Sequence, residues 1–142
     1  MVTELFWLYN KYTDVKQILK ITAKVVGVKN ITPNIGPGFS SINFNIDVQL
    51  HNPTSKNFNI NTGGLLVLKE VKIYTQDGIY LGTSLPMTSE IALPANGTQT
   101  ITGIPAQIET NNIPVIIQNL NNLQNIQTKL LFEGAGQTFL LS

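Results

Sequence analysis

The stretch Ser41-Ile42-Asn43-Phe44-Asn45-Ile46-Asp47-Val48-Gln49-Leu50-His51 decides the fold. Apolar Ile42, Phe44, Ile46, Val48 and Leu50 alternate with polar Asn43, Asn45, Asp47 and Gln49, and a period of two puts the first set on one face of a β-strand and the second on the other. A strand so patterned lies with one face on a core and the other in water. Asn52-Pro53-Thr54 ends it, because proline has no N–H for the ladder and restricts the residue before it.

The segments on either side read the same way. Upstream, Ile21 to Val28 is crowded with β-branched residues and predicts a strand, while Asn30 to Ser41, with Pro33, Gly36, Pro37 and Gly38, reads as a loop. Downstream, Phe58 and Ile60 form a short alternation, and Gly63-Gly64 allows a bend or bulge before a strand from Leu65 to Tyr74. Gln76-Asp77-Gly78 is a hairpin turn into Ile79 to Ser84. Pro86 and Pro94 bracket a segment holding Ile91 and Leu93, and Asn96-Gly97 turns the chain into a strand from Thr98 to Ile108. Asn111 or Asn112 is placed to cap a helix with Pro114 in its first turn, on which Val115, Ile116, Leu120 and Leu123 recur at helical spacing. A last hairpin joins Ile126–Glu133 to Thr138–Leu141 through Gly134-Ala135-Gly136.

At the start of the chain, Leu5, Leu8, Tyr9, Tyr12, Val15 and Leu19 are spaced by threes and fours, which predicts a short amphipathic helix over Thr3 to Leu19. The expected architecture is mostly β: an antiparallel β-sandwich with one helix before the last hairpin and an N-terminal helical arm. Residues 1–19 form the arm and residues 20–142 the sandwich domain.

With 142 residues the chain makes one domain. Charged residues are 12% of it and the net charge is +1, which excludes a disordered tail and a polyelectrolyte that coats nucleic acid. There is no cysteine, so no disulfide framework, thiol nucleophile or lipid-bearing Cys. All 9 basic residues are lysine, which removes the guanidinium fork used for bidentate recognition of phosphate or guanine. Lys11, Lys16, Lys20, Lys24 and Lys29 make the first thirty residues mildly basic. Abundant asparagine and isoleucine without arginine match an AT-rich coding sequence. Met1 to Asn10 shows neither a basic leader nor a small-residue cleavage site, so no cleavable secretion signal is expected.

Chemistry-bearing residues are sparse. His51 is the sole histidine, and Asp47 lies four residues before it on the same strand, hence on the same face. The pair reads as part of the strand's polar outer face, or else His51 satisfies a turn at the Asn-Pro corner, rather than as a metal or general-base site. Gly36-Pro37-Gly38 is too stiff for a phosphate loop, and the Asn30-Ile31-Thr32 and Asn96-Gly97-Thr98 sequons read as turn chemistry. No catalytic residue, metal or cofactor is expected.

The order of these features resembles the late-embryogenesis-abundant type 2 family, also called the WHy domain. The residues that carry the resemblance are the strand Ile42–Leu50, Asn52-Pro53-Thr54, Phe58 with Ile60, Gly64, Val71–Tyr74, Asp77-Gly78, Gly82-Thr83-Ser84 and Leu93-Pro94-Ala95-Asn96-Gly97-Thr98. Ile101–Ile108, Val115–Leu123 and Leu130–Gly134 complete the order, so that it covers about residues 21 to 141. Asn52, Pro53, Gly64, Asp77 and Gly78 mark the fold in this resemblance. It implies a fibronectin type III-like antiparallel sandwich without catalytic site or cofactor, in a family found in plants, archaea, bacteria and phages. The bacterial lipoprotein role is not expected here, for lack of a signal and a cysteine.

Leu5, Phe6, Trp7, Tyr9 and Tyr12 make the start of the chain rich in apolar and aromatic side chains. These could cover the open end of the sandwich itself, but they are expected to bind a partner, because the strands from Ile21 onward already supply the core and aromatic residues of this kind are enriched at binding hot spots. A protein surface is favoured over a bilayer, since the lysines are sparse, and nucleic acid is not expected. The function expected is that of a non-enzymatic structural or adaptor domain in a larger assembly, favoured as a minor component of a phage virion whose capsid or tail proteins it contacts. The alternative is a soluble cytoplasmic protein that protects against desiccation and stress.

Overall fold

The computed structural model describes residues 16–58, 66–134 and 137–141 of the chain. In chain order the strands are β1 (Thr22–Gly36), β2 (Phe39–His51), β3 (Leu66–Thr75), β4 (Tyr80–Ser84), β5 (Ser89–Ile91), β6 (Thr98–Glu109), β7 (Ile126–Gly134) and β8 (Gln137–Leu141). One helix, α1 (Ile113–Leu120), and a 3-10 turn (Leu123–Asn125) lie between β6 and β7.

The antiparallel, mostly β architecture is present. Neighbouring strands follow the order β1-β2-β6-β4-β3-β7-β8, with β5 on β3. Hydrogen bonding therefore runs through the strands as one sheet. Short β4 joins the group β1-β2-β6 to the group β3-β7-β8: Thr83 and Ser84 pair with Gln107 and Ala106 of β6, and Thr83, Gly82 and Tyr80 pair with Lys72, Ile73 and Tyr74 of β3.

The apolar sides of the two groups share one core. Ile42, Phe44, Ile46, Val48 and Leu50 are all buried, as the alternation requires, and they cluster with Leu66, Leu68, Val71, Ile73, Leu130 and Phe132. A register shift between Leu68 and Glu70 explains why Leu66, Leu68, Val71 and Ile73 all point inward. α1 carries Pro114 in its first turn and buries Ile116 and Leu120. Asn112 occupies the N-cap position without bonding the first turn through its side chain; its N–H donates instead to Thr110 Oγ1 at 3.0 Å.

The loop expected over Asn30–Ser41 is mostly strand. β1 runs on to Gly36, turns at Pro37-Gly38 and returns as β2 from Phe39. β1 is the terminal strand of the sheet, where a proline in the ladder, here Pro33 opposite Ile42, is tolerated. The ladder is unbroken from Thr32↔Asn43 to Gly36↔Phe39, and the two register shifts of β1 lie before it, between Val25 and Gly27 and between Lys29 and Thr32.

Of the helix predicted over Thr3–Leu19, residues 16–18 are helical, and the part before them lies outside the described residues. The core reaches into this segment: Ile18 is buried along with Ile21, whereas Leu19 is exposed. Among the described residues no helix is long and apolar enough to cross a membrane.

Candidate functional site

Two polar constellations stand out on this frame, and both act on backbone. At the corner after β2, Asn52 is fully buried. Its Nδ2 donates to the carbonyls of Lys56 at 2.6 Å, Pro94 at 3.1 Å and Leu93 at 3.2 Å. Its Oδ1 accepts from the Thr54 N–H at 3.0 Å and the Thr54 hydroxyl at 2.6 Å. Thr54 Oγ1 accepts in turn from the Lys56 N–H at 3.2 Å.

Backbone bonds close the same junction. Asn52 N–H donates to Gly97 O at 2.9 Å and Asn96 N–H to Thr54 O at 3.0 Å, while Phe58 and Leu93 exchange N–H to O bonds of 2.8 and 2.7 Å. The Asn52-Pro53-Thr54 corner is thus stitched to the Leu93–Gly97 turn. An asparagine that bonds nearby backbone was legible in the sequence; that its partners include a turn some forty residues further on was not.

The second constellation is centred on Asp47. It faces away from the core yet is buried, because Oδ1 accepts from Gly103 N–H at 2.8 Å and Oδ2 meets Lys29 Nζ at 3.0 Å. Gly103 has φ +68, a conformation that glycine adopts without strain, and it lies where the β2–β6 register shifts between Ile46 and Val48. The carboxylate thus takes up an N–H at a place where the ladder is interrupted. Asn45 lines the same bulge, receiving Asn30 Nδ2 at 3.0 Å and donating to Gly103 O at 3.4 Å. The Gly103 N–H bond, then Lys29, holds the Asp47 carboxyl below the ordinary aspartate range, against the opposing effect of burial.

His51 shares a hydrogen bond of 3.1 Å with Thr98 Oγ1. It lines a shallow depression with Thr22, Ala23, Lys24, Gln49 and Thr98, a lining without a carboxylate. Although Asp47 lies on the same strand face, its oxygens are committed to Gly103 and Lys29. Among the described residues no group of three or more His, Asp and Glu is placed to hold a metal ion.

The outward face of β3 and β7 carries a further group. Lys129 Nζ sits 5.0 Å from the centroid of the Tyr74 ring, and Tyr74 and Tyr80 lie 5.5 Å apart and tilted by 55°. Two adjoining depressions share Tyr74 and Lys129, one reaching Ala23 and Ile126, the other Glu70, Leu131 and Leu140. Sequence reasoning missed this surface, because its members come from different strands and no local motif joins them.

No family model matches the chain, and no curated protein matches it.

Of the residues expected to mark sites, Leu5, Phe6, Trp7, Tyr9, Tyr12 and Gly64 lie outside the described residues. Asp77 and Gly78 form the expected turn: Gly78 N–H donates to Thr75 O at 3.0 Å and Thr75 N–H to Ile79 O at 2.8 Å. The sequon residues Asn30 and Asn96 both have positive φ, 56° and 58°, Asn30 within a bulged stretch of β1 and Asn96 in a turn.

Proposed function

We propose that this chain is a non-enzymatic structural domain that acts as an adaptor in a larger assembly, favoured as a minor component of a phage virion. The observation that carries the reading is where the buried polar groups are used. Asn52, Thr54 and Asp47 join corners and bulges, Ser84 Oγ accepts from Val71 N–H at 2.8 Å, and Thr75 Oγ1 accepts from Ile79 N–H at 3.0 Å. Each fixes main chain, which is what a scaffold asks of its polar side chains.

The resemblance to the late-embryogenesis-abundant type 2 domain belongs to the same proposal. It is supported by the meeting of its two Pro-containing motifs, Asn52-Pro53-Thr54 and Leu93-Pro94, in one hydrogen-bonded junction. A single core shared by the strand groups on either side of β4 suits the sandwich expected of that family. Attachment is assigned to Leu5, Phe6, Trp7, Tyr9 and Tyr12, with a protein surface as the partner.

Mass spectrometry of purified particles from the source of the gene tests this. The chain should be present at a fixed ratio to the major capsid protein, and Phe6→Ala with Trp7→Ala should abolish its incorporation. A chain found only in the soluble fraction of cells, and rising on drying, overturns the virion reading in favour of the stress-protective one.

A further inference from the structure

We propose that the open edge of β8 is a self-association site, on which a second copy of this chain adds its own β8 antiparallel and extends the sheet across both copies. The two ends of the sheet differ in how they are guarded. β1, at one end, carries Pro33, two register shifts and the lysines Lys24 and Lys29, the devices that keep an edge from templating another strand.

β8, at the other end, has none of these. Gln137-Thr138-Phe139-Leu140-Leu141 contains no proline and no charge, and its register with β7 runs unbroken from Leu130↔Leu141 to Gly134↔Gln137. Among the described residues no strand pairs with its outer side, so alternate residues present a free N–H and C=O there. Phe139 and Leu141 are buried, while Leu140, opposite Leu131 on the outward face, is 63% exposed.

The strand fits itself. Antiparallel pairing centred on Phe139 sets Thr138 of each copy opposite Leu140 of the other, so the threonine methyl covers the exposed leucine on the outward face. The inward residues Phe139 meet on the core side. An uncharged strand brings no like charges together across the junction, and the nearest acid on β7, Glu133, is paired with Lys69 at 3.8 Å. A second copy satisfies this register by two-fold symmetry alone, whereas an unrelated strand needs a matching sequence of its own. Main-chain bonds supply the attraction and Leu140 the fit. Five residues a side bury less than a standard interface, so the association is weak and concentration-dependent. The inference is independent of the adaptor reading.

The absence of native cysteine makes a clean test. In sedimentation velocity the full chain should pass from monomer to dimer as concentration rises, and Leu140→Lys should shift it to monomer. The Thr138→Cys, Leu140→Cys double variant should form a disulfide-linked dimer on mild oxidation, with the linkage mapped to this strand. Ile35→Lys, at the exposed tip of the β1–β2 hairpin, should leave the dimer intact. A chain that stays monomeric at its highest soluble concentration overturns the proposal, as does a dimer that survives Leu140→Lys and forms no disulfide in the cysteine variant.

Discussion

A side chain on Gly27 and the carboxylate of Asp47 cannot occupy their places together: a β-carbon on Gly27 would lie 2.6 Å from Asp47 Oδ2. The oxygen can swing aside, but then it leaves Lys29, and its twin leaves the N–H of Gly103. Gly27→Ala is therefore expected to destabilise the fold by about 1–2 kcal/mol, the cost of a disturbed charge-assisted hydrogen bond. Once Asp47 is alanine the same change should cost less. A double-mutant cycle by urea unfolding reads the coupling; additive effects would show that the close approach is without consequence.

Acid should weaken the same bulge. The folded-state pKa of Asp47 lies below its unfolded value, so the stabilisation it gives is present above the ordinary aspartate range and is lost as pH falls through the folded value. The difference in unfolding free energy between the native chain and Asp47→Asn should be constant near neutral pH and shrink below about pH 4. Lys29 is exposed, so Lys29→Ala should cost no more than about 1 kcal/mol.

Asn52→Ala leaves the Thr54 N–H without its acceptor in a buried corner and removes the Nδ2 donor from the carbonyls of Lys56, Leu93 and Pro94, of which Leu93 and Pro94 keep the backbone N–H groups of Phe58 and Gly97. The expected loss is about 3 kcal/mol. Asn52→Asp should be at least as damaging at neutral pH, because a carboxylate then faces three carbonyl oxygens, and it should recover in part as the acid is protonated. Thermal unfolding at two pH values distinguishes this corner from one held by shape alone.

The core's reach into the N-terminal segment can be tested at neighbouring positions. Ile18→Ala should cost about 2–4 kcal/mol and Phe44→Ala about 3–5, while Leu19→Ala on the exposed side should stay within about 0.5 kcal/mol. Equal effects at Ile18 and Leu19 would place the start of the core after this turn.

The alternation from Ile42 to Leu50 was enough to orient β2, because a period of two needs no partner to be read. β1 was cut short in the sequence because Pro33 and Gly36-Pro37-Gly38 carry the chemistry of a loop; Pro37-Gly38 do turn the chain, and the terminal position of β1 in the sheet makes Pro33 admissible in the ladder. Asp47 read as one more polar residue on a wet face. Its partners, Gly27 and Gly103, come from two other strands, and the only local hint was a glycine within a β-branched run. The His51 reading rested on spacing along one strand, which says nothing of Thr98 across the ladder.

The pairing of β3 with β7, across β4, β5, β6 and α1 in the chain, bears on how fast this molecule folds. Three hairpins, β1–β2, β3–β4 and β7–β8, join strands adjacent in the chain and cost little loop entropy. The joins that turn them into one sheet, β2 with β6, β6 with β4 and β3 with β7, bring together distant parts of the chain. Folding should accordingly run on the millisecond-to-second scale of proteins ruled by distant contacts, with hairpins forming early and waiting for loop closure to bring their neighbours alongside.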